Sequence, residues 1–107
     1  MDQAAVLEIV HRYAEAIREK FEFNRLFLFG SYAKGSFHED SDIDIAVVFS
    51  DFDNALYMQW ELMRLRRDLD IRIEPHPFRE RDFEVSNPLV HEILQSGLEI
   101  KAEKVQH

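Results

Sequence analysis

The sequence predicts a single α/β domain (α+β in arrangement), a short β-sheet of three to four strands flanked by helices. Two observations point there. Apolar residues recur at helical spacing in three segments, and between these lie two short apolar runs and one stretch that alternates with period two. The length, 107 residues, is that of one domain, 1–107.

The elements follow in order. Val6, Ile9, Val10, Tyr13, Ala14 and Ile17 form one face of a first helix, with Asp2 as its N-cap. Leu26 to Phe29 is a continuous apolar run, the pattern of a strand buried on both faces. Gly30-Ser31 ends it, and Tyr32 to Lys34 fit one helical turn before Gly35. Ser36 to Ser41 is polar and loop-like, and Ile43, Ile45, Val47 and Val48 build a second strand. Asp51 to Asn54 offer caps for a long helix reaching about Arg67. Its main stripe reads as Leu56, Gln59, Trp60, Met63 and Arg67, with Met58, Leu62 and Leu65 beside it, and Trp60 and Met63 are expected in the core. Asp70 to Glu74 alternates and stops at Pro75, which predicts a third strand. Pro75, Pro77 and Arg79 to Asp82 then read as a connection, with His76 as a structural turn residue between two prolines. Asn87-Pro88 opens a last helix, Gly97 caps it, and Leu98 to Ile100 return as a short edge strand. The tail, 102–107, is polar and expected to be flexible.

Composition excludes several classes. Hydrophobic residues at 46% are too many for a disordered chain. Three Gly and three Pro leave no collagen-like or low-complexity reading. Without cysteine there is no disulfide framework, zinc ribbon or thiol nucleophile, and a reducing cytoplasm fits. No apolar run approaches the ~18 residues of a membrane span. Thirteen Lys+Arg against 21 Asp+Glu give a net charge of −8, which argues against direct binding to a phosphate backbone.

The chemistry concentrates in Gly30-Ser31-Tyr32-Ala33-Lys34-Gly35, followed after five residues by Ser41-Asp42-Ile43-Asp44. A Gly-Ser turn after a buried strand, leading into a helical turn, presents unpaired N–H groups to a phosphate. The Ser31 hydroxyl adds a donor, and Gly35 lets backbone pass close to a ligand. Asp42 and Asp44 are two apart, so both carboxylates share one strand face while Ile43 points inward. Carboxylates beside a phosphate cradle can hold hard divalent cations, with phosphate oxygens completing the shell. The histidines form no pair at metal-ligand spacing, and no Gly-x-x-x-x-Gly-Lys-Ser/Thr is present, so this is no P-loop enzyme.

This pattern of Gly-Ser, a Gly four residues after the Ser, and Ser-Asp-x-Asp resembles the DNA polymerase β-type nucleotidyltransferases, and within them the minimal nucleotidyltransferase domains that pair with HEPN-domain toxins. The likeness extends over nearly the full chain. It implies a nucleotidyltransferase fold with a short mixed sheet, and a nucleotide-binding set of Gly30, Ser31, Lys34, Gly35 and Ser41. Lys34 stands where the family often has Arg, which keeps the positive charge but loses the bidentate fork.

The resemblance also calls for a third carboxylate on a neighbouring strand. Asp70 is favoured, and Glu74, about 13 Å further along at ~3.3 Å per residue, is the alternative. Arg72, between them on the same face, competes for Asp70. The implied catalytic and metal set is therefore Asp42, Asp44 and Asp70, holding two Mg²⁺ (or Mn²⁺), with ATP as nucleotide donor. The implied reaction moves AMP onto a hydroxyl. A chain this short leaves no room for an acceptor domain, so the acceptor surface is expected from a HEPN-domain partner or from a second copy. The expected role is the antitoxin of a type VII-like toxin–antitoxin pair. The alternatives are a catalytically quiet module that neutralises by contact, or an enzyme acting on a small molecule.

Overall fold

Asp2 caps α1 (Gln3–Arg18) by accepting the Ala5 N–H at 2.9 Å, and Val6, Val10, Tyr13, Ala14 and Ile17 are buried along one side. The structure is a computed structural model and describes residues 2–101; the tail expected to be flexible, 102–107, lies outside the described residues. After α1 come β1 (Arg25–Phe29), α2 (Ser31–Lys34), β2 (Ile43–Phe49), α3 (Ala55–Leu65), β3 (Ile73–Arg79), a 3-10 turn (Glu80–Asp82), α4 (Pro88–Ser96) and β4 (Leu98–Glu99).

The four strands form one mixed sheet in the order β3-β2-β1-β4. β1 runs antiparallel to β2 and to β4, whereas β2 and β3 are parallel. A parallel pair needs a crossover rather than a hairpin, and α3 supplies it. On one face Leu26, Leu28, Ile43, Ile45, Val47, Phe49 and Ile73 pack with residues of α1 and α3. On the other, Phe27, Phe29, Ala46 and Val48 pack with Ile93 of α4, Phe78 and Phe83. β1 is thus buried on both faces, which is why its sequence is apolar without alternation. Alternation along β2 puts Asp44 on the second face, one step beyond Ala46 at the strand's start.

Two expectations need correction. The third strand is not Asp70–Glu74 but Ile73–Arg79, and it runs through both prolines. The Ile43 N–H bonds the Arg72 carbonyl at 2.9 Å, so even-numbered residues turn their backbone groups toward β2 and odd-numbered ones turn outward. Pro75 and Pro77 therefore lack an N–H only where it would leave the sheet edge, which is where strands tolerate proline. The outward carbonyls of Ile73 and Pro75 accept hydrogen bonds from Arg66 Nη1 at 2.7 Å and Gln59 Nε2 at 2.9 Å. The first half of this edge therefore offers little to another strand.

The second correction concerns α3. Its buried side is Met58, Glu61 and Leu62, with Leu65 packed on the same core, while Leu56 is 82% and Trp60 56% exposed. The buried stripe contains a glutamate, so counting apolar positions selects the wrong face. Glu61 is neutralised where it sits. Tyr57 Oη donates to it at 2.7 Å and Lys20 Nζ at 3.1 Å, and these bonds hold its carboxyl below the usual range. Beyond α4, Gly97 is required by contact rather than by a left-handed turn, because a Cβ there would overlap the Ile93 carbonyl and crowd that of Leu28.

Candidate active site

β1 ends at Phe29, and Gly30 turns the chain with φ +77° and ψ −152°. A Cβ at Gly30 would overlap Asp44 Oδ2. Glycine is therefore needed twice, for the backbone angle and for the approach of the carboxylate. Ser31 and Tyr32 follow as the first residues of α2, and their N–H groups have no carbonyl one turn earlier in the helix to bond. The Gly30 carbonyl instead accepts the N–H groups of Ala33 and Lys34, each at 3.1 Å. Gly35 closes the turn at φ +81°. Tyr32 is fully buried and stacks on Phe37 with ring centroids 4.6 Å apart, which anchors both the turn and the loop after it. Lys34 Nζ pairs with Glu92 of α4 at 3.4 Å.

The loop leading into β2 is fastened by Ser41. Its Oγ accepts the His38 N–H at 2.9 Å while its own N–H donates to the His38 carbonyl at 3.0 Å. Ser41 is buried, so within the set expected to bind nucleotide it acts at this point as a loop clasp ahead of Asp42. Asp42 is exposed, just before β2. Asp44 lies directly opposite Phe29 in the β1–β2 register, with Oδ2 against Gly30 and Oδ1 3.3 Å from His76 Nε2. Asp44 and the Gly30-Ser31 turn thus meet at adjacent strand ends, with Asp42 just ahead of β2.

Asp70 does not join them. It lies in the turn before β3, where its two oxygens accept Arg72 Nε at 3.0 Å and Nη2 at 2.7 Å, and Oδ1 also accepts the Arg72 N–H at 2.9 Å. These bonds hold the Asp70 carboxyl below the usual carboxylate range. Arg72 Nη1 reaches the Tyr32 hydroxyl at 3.4 Å and the Glu39 carbonyl at 3.5 Å, so the pair ties the turn to the 36–41 loop. The carboxylate beside Asp44 is Glu74, its direct partner in the parallel register and on the same face. Strand spacing sets the two backbones about 4.8 Å apart. Arg66 Nη1 stands 3.9 Å from Glu74 Oε1.

His76 was expected in a turn, and the structure puts it on β3 beside the site. It is two residues beyond Glu74 on the same face, a period-two relation that appears once the strand is seen to continue through the prolines. Among the described residues no three histidine, aspartate or glutamate side chains converge as a ready-made ion cage. Mg²⁺ is commonly held by one or two carboxylates together with substrate phosphates rather than by such a cage, and an all-oxygen set beside a phosphate cradle suits it.

The sequence profile of the nucleotidyltransferase domain family matches residues 10–102. The chain belongs to that family. Among relatives of this nucleotidyltransferase domain, a Methanocaldococcus jannaschii protein provisionally named a protein adenylyltransferase is 39% identical over 95 residues, 87% of this chain and 91% of that one. The protein adenylyltransferase MntA of Thermococcus cleftensis is 36% identical over 67 residues, 57% of this chain and 68% of its own. Among solved structures, a toxin–antitoxin with AMP-PNP superposes with a TM-score of 0.68 at 26% identity, over 88% of this chain and 74% of that one.

Proposed function

We propose that this nucleotidyltransferase domain transfers AMP from ATP to a hydroxyl of a partner protein, a helical HEPN-domain toxin, and so serves as an antitoxin. The observation that carries this reading is the approach of Asp44, at the start of β2, to the Gly30-Ser31 turn, so close that a Cβ at Gly30 would overlap Asp44 Oδ2. Relatives named protein adenylyltransferases, and the likeness to a toxin–antitoxin with AMP-PNP, support the donor and the kind of acceptor.

The first N–H groups of α2 and the Ser31 hydroxyl donate to the triphosphate, and Gly30 and Gly35 let it lie close to the backbone. Asp42, Asp44 and Glu74 are the residues that would hold Mg²⁺; Glu74 takes the role that the sequence favoured for Asp70, whose oxygens are committed to Arg72. Two bound Mg²⁺, or Mn²⁺ in their place, would neutralise phosphate charge and make the acceptor hydroxyl more acidic. The acceptor oxygen bonds to the α-phosphorus as the bond from that phosphorus to the pyrophosphate oxygen breaks. Pyrophosphate leaves with the electron pair, and the Glu74 carboxylate accepts the hydroxyl proton.

Incubation with a HEPN partner and ATP labelled at either the α- or the γ-phosphate tests the reading. The α-label should appear on the partner and the γ-label should not. Transfer of the γ-label would make the domain a kinase, and neutralisation of the partner without either label would make it a binding module.

A further inference from the structure

The contact between His76 and Asp44 has no part in the reaction as described above, and both residues are held as if the contact mattered. His76 Nε2 stands 3.3 Å from Asp44 Oδ1. The ring meets Phe29 edge-on with centroids 5.0 Å apart, and Phe29 is the residue opposite Asp44 in the register. Pro75 and Pro77 on either side fix the local backbone angles. The other Asp44 oxygen lies in the space that a Cβ at position 30 would fill. The His76 hydrogen bond is thus the one polar contact to the Asp44 carboxylate among the described residues, and any side chain at position 30 would displace the other oxygen.

We propose that His76 is a positioning residue, whose Nε2–H fixes the Asp44 carboxylate in the orientation that receives the metal; this rests on the metal-dependent reading above. An ionised carboxylate only accepts hydrogen bonds, so the nitrogen facing it carries the proton. Each Asp44 oxygen keeps a further lone pair for a cation. A nitrogen already donating to Asp44 cannot also bind the metal, which separates this role from ligation. Without the imidazole, Asp44 must be immobilised as the ion binds, and hydrogen-bond partners of this kind typically contribute about 10- to 100-fold in metal affinity or activity.

The test compares His76→Ala, His76→Gln and Asp44→Asn with the parent chain. It measures Mn²⁺ affinity in the presence of α,β-methylene-ATP and the kcat and KM for AMP transfer, with thermal melts to confirm folding. The Gln side-chain amide replaces the Nε2 donor but is a poor metal ligand. His76→Ala should weaken Mn²⁺ by about tenfold or more and lower kcat, with KM for ATP little changed. His76→Gln should recover most of both. Parental Mn²⁺ affinity and kcat in His76→Ala would overturn the proposal, as would a His76→Gln variant no better than His76→Ala, which would make the imidazole a ligand. If Asp44→Asn retains full Mn²⁺ affinity, the metal reading itself fails and takes the proposal with it. Loss in Asp44→Asn alone removes only the role of His76.

Discussion

The Gly30-Ser31 turn and the place of Asp44 can be read from spacing because each has a local reason, a turn after a buried strand and the alternation along the next one. Asp42, expected on the same strand face, lies instead just ahead of β2. The third carboxylate cannot be read this way, because it depends on the register between two distant strands. The sequence favours Asp70 over Glu74, whereas in the structure Arg72 occupies both oxygens of Asp70, and the role proposed for the third carboxylate passes to Glu74. The pairing with Arg72 makes Asp70 a structural group with a pH dependence. Its folded-state pKa lies below the unfolded value of about 4, so its contribution is complete above that value. The contribution is lost as pH falls through the lower folded value. Asp70→Asn should therefore melt below the parent chain at neutral pH, with the gap closing as the pH is taken below about 4. Melts from pH 7 to pH 2 check this, and a gap that widens in acid would contradict it. His76 was hidden for a related reason, since two flanking prolines imitate a turn wherever the edge position of the strand is unknown.

The helices and strands themselves were largely legible. Asp2, Asn54 and Asn87 each cap a helix through a side-chain oxygen, as their sequence positions suggest. What failed was orientation in α3 and extent in β3, both set by tertiary contacts. Glu61 is tolerated inside because Tyr57 and Lys20 satisfy it, and the strand passes through prolines because their missing N–H groups fall on the outward side of an edge strand. The orientation of α3 is testable by stability. Leu62 is fully buried, and Leu62→Ala should cost about 2–5 kcal/mol. Trp60, larger but mostly exposed, should change stability by only about 0.5 kcal/mol when replaced by Ala. Chemical denaturation of the two variants measures both. The ordering would reverse if Trp60 lay in the core.

Across the whole molecule, acidic side chains outnumber basic ones, and among the described residues no helix is long and apolar enough to cross a membrane. Several carboxylates at one sheet end repel one another, so binding of a cation with a nucleotide should stabilise the fold. At a hundredfold excess over Kd, Mg²⁺ and ATP should add about 2.7 kcal/mol. Chelation with EDTA should remove the corresponding rise in Tm, and Asp42→Ala should show none. The central claim, that Asp42, Asp44 and Glu74 form the reacting carboxylate set, is tested most directly by transfer of α-labelled AMP in Asp44→Asn, Glu74→Gln and Asp70→Asn. The first two should lose about a hundredfold or more in rate. Asp70→Asn, assayed at a temperature where it is folded, should stay within about fivefold of the parent, a barrier change of ~1 kcal/mol. An inactive Asp70→Asn beside an active Glu74→Gln would contradict the assignment.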